Sequence, residues 1–247
     1  MNKLILMCLL LICSVAFNLV MASVTVTMQQ QQYHYDHTPR LIEILPPLAN
    51  KQNLYWPAAV LYQLDTTHLE EKRKLVLQQL ASLEKDHQED DSEIALSLQQ
   101  LQATIKSWRL ARRLPIKIDY DLARIVAAAN PQLPEGNYLL AVAPRSKTVQ
   151  LFGAVNKTSN LPHLDHADAS EYLTNQHLSK LADKDTVIII QADGREIKAP
   201  VAYWNKTHQE VMPGSQLFVP FKHSLFHPEF TSINQQIVTL ALNRVTQ

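Results

Sequence analysis

The chain has 247 residues, and its 23 lysines and arginines balance 23 aspartates and glutamates, so its formal charge at neutral pH is zero. That balance excludes the broadly basic surface that nucleic-acid binding demands, while the length suffices for two modest hydrophobic cores. Only four glycines occur, Gly136, Gly153, Gly194 and Gly214. No GxGxxG, Walker or GxSxG pattern can therefore be written, which removes the nucleotide-cradling loops and the α/β-hydrolase elbow.

The first residues bear on compartment. Asn2-Lys3 is a short cationic start, residues 4–20 are an apolar run broken by Ser14 and Asn18, and Ala22 closes the segment with a small side chain. This is the pattern of a secretory signal peptide cut after Ala22. An uncleaved membrane anchor is the competing reading, because the run approaches the length a bilayer requires. A lipid-anchored form fits less well, since Leu11-Ile12 rather than a small residue precedes Cys13. Both cysteines, Cys8 and Cys13, fall inside the segment, so the exported chain is expected to have no disulfide, thiol nucleophile or thiolate metal ligand.

Beyond it, residues 24–27 alternate as a strand with one exposed face, followed by the polar run 29–32. His34, Asp36 and His37 are candidate metal ligands, but period-two spacing splits His37 from the other two and no third histidine is local. Residues 40–45 read as a short helix or strand stopped by Pro46-Pro47. Residues 54–61 form an apolar patch in which Trp56, beside a proline, suits a core plug first and a platform for a sugar ring second. Thr67-His68-Leu69-Glu70 has the form of a capping box. Leu69, Val76, Leu80 and Leu83 then make one apolar stripe, and Ile94, Leu98, Leu101, Ile105 and Trp108 a second, with a polar turn at 86–92. Two such helices pack as an antiparallel hairpin.

At 108–119 the helical part gives way to a β-rich remainder, and Arg109, Arg112, Arg113 and Lys117 fall within nine residues. Pro115 forces Leu114 out of the helical region. Alternation then sends Ile116 and Ile118 to one face and Lys117 and Asp119 to the other. A guanidinium at such a junction makes a planar two-pronged clamp for a carboxylate or for sugar oxygens. The plainer reading is a last helical turn whose arginines satisfy its carbonyls and dipole. Asp119 and Asp121 invite comparison with the paired carboxylates of glycoside hydrolysis, although aspartates two apart also occur in any Asp-rich turn.

The remainder reads as a hairpin of 137–143 and 148–155 across 144–147, a helix from Asp168 to Leu181, and a strand at 186–190 turned by Asp193-Gly194 into 195–200. A last strand, 215–221, follows Pro213-Gly214. Hairpin, helix and further strands is the order of a β-grasp domain. His163 and His166 have metal-ligand spacing but suit ordinary cap chemistry better, with no zincin glutamate or cysteine beside them. The tail is an amphipathic helix with Phe230, Ile233, Ile237, Leu240, Ala241 and Val245 on one face. Packing on the protein's own body is preferred over a membrane, because the opposite face carries Asn, Gln and Thr rather than lysines.

Five motifs taken together, Leu54-Tyr-Trp-Pro57, Arg113-Leu-Pro-Ile-Lys-Ile-Asp119 with Arg124 after it, Leu151-Phe-Gly-Ala-Val155, Val201-Ala-Tyr-Trp-Asn-Lys-Thr-His208 and Pro213-Gly-Ser-Gln-Leu-Phe218, give the chain a likeness over nearly its whole exported length. It resembles the GfcC-like capsule or exopolysaccharide biosynthesis proteins of Gram-negative periplasms. The resemblance implies an α+β protein of two β-grasp domains, the first carrying an inserted helical hairpin, plus a C-terminal amphipathic helix. The expected boundaries are a signal peptide at 1–22, a first domain at 23–134 with its hairpin at about 65–112, a second at 135–224, and the helix at 225–247.

The function implied is that of a non-catalytic periplasmic accessory protein in capsule or exopolysaccharide assembly or export, meeting surface polysaccharide or its export machinery. Arg113 is the position carried over as a pocket residue, with Arg109, Lys117, Trp56 and Trp204 as further ligand-binding candidates. No cofactor, metal or nucleic acid is expected, and the protein is expected to be a monomer, with the C-terminal helix as its route to any peripheral membrane contact. The alternatives are a carbohydrate-active enzyme using Asp119 and Asp121, and a structural adaptor acting through the C-terminal helix.

Overall fold

The computed structural model describes residues 23–49, 51–88, 91–224 and 227–246; the expected signal peptide, with Cys8 and Cys13, lies outside them. Alternation at the start gives strand β1 (Val24–Met28), which buries Val24, Val26 and Met28 and turns back antiparallel into β2 (Gln31–Tyr35). Residues 40–45 resolve as a helix, α1 (Leu41–Ile44), and the prolines begin a second short turn, α2 (Pro46–Ala49), rather than only stopping the first. Proline tolerates a first helical turn because its missing N–H has no partner there anyway. There follow β3 (Val60–Gln63), the long helices α3 (Thr67–His87) and α4 (Ser92–Ser107), β4 (Arg112–Arg113), α5 (Tyr120–Ile125) and β5 (Gly136–Ala141). The first sheet has the order β2-β1-β5-β3-β4, with β1 and β5 parallel at its centre.

The second sheet is built from β6 (Thr148–Gly153), β7 (Ser159–Pro162), β8 (Thr186–Ile190), β9 (Glu196–Pro200) and β10 (Gln216–Val219). Its order, β7-β6-β10-β8-β9 with β6 and β10 parallel, repeats that of the first. In both sheets the first and last strands pair in parallel at the centre and the other connections are antiparallel. Helix α6 (Glu229–Leu242) is shorter than the expected 225–247, and Val245 leaves its predicted apolar face because the backbone after Asn243 pairs with residues 109–111.

Three expectations are corrected. The hairpin of 137–143 with 148–155 does not form: β5 lies between β1 and β3 in the first sheet and β6 belongs to the second. The break between sheets thus follows β5 instead of preceding it at 134. The reason lies in β5 itself, whose Tyr138, Leu139, Leu140 and Ala141 are all buried, as a central strand with both faces covered requires. The connection Pro-Arg-Ser-Lys also lacks the glycine or asparagine of a tight hairpin turn. The helix expected from Asp168 to Leu181 is only a 3-10 turn, Glu171–Leu173. There the Asp168 carboxylate accepts from both the N–H and the hydroxyl of Ser170, at 2.8 and 2.6 Å, local bonds that compete with helix propagation. The capping box is also absent, since Thr66 is the N-cap of α3 and Glu70 turns to Arg73 at 3.4 Å.

The hairpin α3–α4 enters between β3 and β4, where the second sheet has only the turn at 191–195. Both predicted stripes are buried, yet they join the core of the second sheet and α6 rather than that of the first. Trp108 meets Phe152 edge-on at 5.4 Å, Phe152 packs on Phe218 at 5.2 Å, and Ser97 donates to the Val155 carbonyl at 2.8 Å. Helix α6 buries Phe230, Ile233, Ile237 and Leu240 in the same cluster, which is the self-packing its polar opposite face favours. Among the described residues no helix is long and apolar enough to cross a membrane.

Candidate functional site

The cationic segment is held by a partner distant in sequence. Helix α4 ends at Ser107, and residues 109–111 run antiparallel to the end of the chain: Val245 N donates to Arg109 O at 2.8 Å, Ala111 N to Asn243 O at 3.0 Å, and Leu110 bridges Arg244. The Asn243 side chain accepts from Arg113 N at 2.9 Å, while β3 pairs with β4 from the other side, Tyr62 opposite Arg113. The reading of these arginines as caps on their own helix is therefore replaced. They sit on an extended segment at the seam of the two sheets.

The Arg113 side chain crosses that seam. Its Nη2 donates to the Ala192 carbonyl at 2.9 Å, and the guanidinium lies on Gly194, where an added Cβ would fall 2.5 Å from Nε and 2.6 Å from Cζ. Gly194 has φ +92 in the β8–β9 turn, so both its conformation and its missing side chain make the space. No carboxylate forms an ion pair with Arg113 among the described residues. Burial pulls its pKa below the ordinary arginine value, with Tyr62 and Asp193 acting in the opposite direction. An arginine keeps its charge throughout the physiological range, so this is a half-buried cation held by a neutral carbonyl.

It faces a groove of about 970 Å³ whose walls include Trp56, Ile116, Lys117, Asp119, Asp121, Asp193 and Arg195. Trp56 stands on a 3-10 turn, Trp56–Ala58, half-buried against the first core and bordering the groove. The alternation after Pro115 holds: Ile116 and Ile118 pack inward, and exposed Lys117 pairs with Asp119 at 3.2 Å. Asp119 is the N-cap of α5, accepting from Leu122 N at 3.0 Å. That backbone N–H and then Lys117 hold its carboxyl below the ordinary 3.8. A glycosidase general acid needs the opposite shift. Asp121 points to Arg124 at 3.9 Å, and Arg195 pairs with Asp193 at 2.6 Å.

The structure gathers Arg113, Lys117 and Trp56 of the candidate residues and leaves two apart. Arg109 opens on a different cavity, and Trp204, 75% exposed on the loop at 201–208, borders neither. The histidines also go separate ways. His34 meets Thr25, His37 meets Asp36 and Glu43, His163 meets the Val211 carbonyl and His166 meets Glu210, and no group of three metal-ligating side chains occurs among the described residues. Ala192, Gly194 and Asn243 were missed. Asp193-Gly194 signalled a turn but not what packs on it, and Asn243 carries no local signal at all.

Two topologically matched sheets with a charged groove at their seam define an α+β protein whose two halves each have their own sheet. The capsule biosynthesis GfcC N-terminal family matches residues 20–145 and the capsule biosynthesis GfcC C-terminal family residues 157–246. The gap between the matches follows β5, where the structure divides the sheets. The chain is also 34% identical over 203 residues to a protein of Escherichia coli (strain K12) described as uncharacterized protein YjbG, covering 82% of this chain and 80% of that protein. The chain belongs to the GfcC capsule biosynthesis family, and that membership implies a role in capsule biosynthesis.

Proposed function

We propose that this chain is an exported, non-catalytic accessory protein in the assembly or export of surface polysaccharide, and that the groove around Arg113 receives glycan. The observation that carries the reading is Arg113 itself, a fixed guanidinium with no ion-pair partner among the described residues, opening on a groove bordered by Trp56. A guanidinium supplies directed donors for hydroxyl or carboxylate oxygens, and an indole supplies a face for the C–H side of a pyranose. Sugar binding of this kind needs no metal, nucleophile or nucleotide. The depressed carboxyl of Asp119 favours a cap over a general acid, which supports binding ahead of glycoside hydrolysis. We take each half as a β-grasp unit, a reading supported by the repeated strand order with a central parallel pair.

The test is calorimetric titration of the purified protein with the producing organism's own surface glycan. Arg113→Ala is expected to weaken binding about tenfold or more, the scale of one lost charge-assisted bond, with Trp56→Ala also weaker and Asp119→Asn little changed. Arg113→Lys restores charge but not the fork, so only partial recovery is expected. Unaltered binding by a folded Arg113→Ala protein refutes the assignment.

A further inference from the structure

A second cavity of about 870 Å³ lies at the seam and shares no lining residue with the Arg113 groove. Its composition differs in kind. The Arg113 groove mixes three aspartates with its cations, whereas among the described residues no aspartate or glutamate lines the second cavity, which Arg109 and Arg244 both border. Arg109 is exposed, and its guanidinium has no protein partner among the described residues. Arg244 is half-buried, its cation 5.7 Å over the Trp108 ring, and its Nη1 donates to the amide oxygens of Gln150 and Gln216.

Those amides orient Arg244 without neutralising it. Gln216 is buried and donates its own Nε2 to the Ala241 carbonyl at 3.1 Å, which fixes its oxygen toward Arg244. The remaining N–H groups of Arg244 have no acceptor among the described residues, and the Gln150 and Asn160 amide nitrogens are likewise undonated. A desolvated cation without a counter-ion is costly to a fold. It becomes favourable when an anion enters and takes the vacant donors. Neutral amides alongside suit hydroxyls.

We propose that this cavity is a second saccharide site, selective for an acidic sugar, with the carboxylate of a uronic acid received by Arg244, exposed Arg109 adding to the positive field, and its hydroxyls by Gln150 and Asn160. The assignment deepens the polysaccharide reading above and is independent of Arg113. Three probes test it by titration: tetragalacturonate, the same oligosaccharide fully methyl-esterified, and inorganic phosphate. Tetragalacturonate is expected to bind, more weakly as salt is added, and the ester about tenfold or more weaker. Phosphate at equal concentration is expected not to displace it. Arg109→Ala, at an exposed position, and Asn160→Ala should each weaken tetragalacturonate binding severalfold, and by more than Arg113→Ala does. Equal binding of the ester, displacement by phosphate, or no binding at all overturns the proposal. So does loss in Arg113→Ala with none in Arg109→Ala, which would move the acidic sugar to the first groove and leave the polysaccharide reading standing.

Discussion

Replacing Gly194 with alanine separates two costs that meet at one atom. The backbone sits at φ +92, outside the usual range of an L-residue, at about 1–2 kcal/mol. The new Cβ also falls 2.5 Å from Arg113 Nε, so the guanidinium must leave the Ala192 carbonyl, and a hydrogen bond from a charged group contributes about 1.5–3 kcal/mol. Because the displaced cation rehydrates in an open groove, the lower ends apply, giving about 2.5 kcal/mol in all and a melting temperature lower by about 5–10 °C. Gly214→Ala is the control: its φ is +85, but the nearest atom to its Cβ would be Ser146 Cβ at 3.3 Å, with Ala192 Cβ in ordinary contact at 3.8 Å, so strain dominates, at about 1–2 kcal/mol. The decisive assay is a double-mutant cycle by urea denaturation. With Arg113→Ala as background the collision is gone, and the cost of Gly194→Ala should fall to that of backbone strain alone, as in Gly214→Ala, a coupling of about 1.5 kcal/mol. Strict additivity would falsify the placement of Arg113 on Gly194.

Gly153→Ala is expected to cost more than about 4 kcal/mol, because its Cβ would lie 2.2 Å from the Val219 carbonyl and 2.7 Å from Phe218 in the adjoining central strand. Soluble yield and circular dichroism report it, and a stable, well-folded variant counts against that strand register. Ile233→Ala removes a fully buried side chain of α6 at about 2–5 kcal/mol, read by urea midpoint; deletion of residues 228–247 should leave no dispersed NMR spectrum. A folded deletion product would return α6 to service as a free adaptor. Asp168 supplies a pH dependence: burial opposes its ionisation, but the Ser170 and Lys206 donors together outweigh that and set its pKa below 3.8. A depressed carboxyl gives stability that is present above its unfolded value and lost as pH falls through the folded one. The urea midpoint should therefore drop more steeply below about pH 4 in the wild type than in Asp168→Asn, and parallel curves would refute the assignment.

The parts legible in sequence were those whose partners are near. The stripes of α3, α4 and α6 carry a 3.6 period, and every residue named from Leu69 to Trp108 is buried. The extended exit after Pro115 was equally local. Strand pairing was not, since Tyr138 to Ala141 reads as half of a hairpin until β1 and β3 are known to flank it. The segment at 168–181 misled for the converse reason: its apolar spacing is helical, but Asp168 and Ser170 bond their own backbone first. At the site, Arg113 stood out by charge density. Its neighbours Ala192 and Asn243 arrive from other elements and have no chemistry that marks them in isolation.

Zero net charge conceals a segregation that this seam makes visible. Several carboxylates pair with cations, Asp91 with Lys180, Asp165 with Arg145 and Asp193 with Arg195, whereas Arg113 and Arg244 are desolvated against carbonyl and amide oxygens. Both are set in place by one strand pair, 109–113 against 243–245, so the chain's end and its hinge must meet before either cation is positioned. A fold that needed the charge only for solubility would leave it on the surface, where a lysine or arginine costs little. Holding two guanidiniums half-buried, without counter-ions among the described residues, costs stability and leaves two cavities of different character. One is bordered by aspartates and an indole, the other by amides and hydroxyls, and on the polysaccharide reading proposed above a polymer with both neutral and acidic sugars presents the matching chemistry.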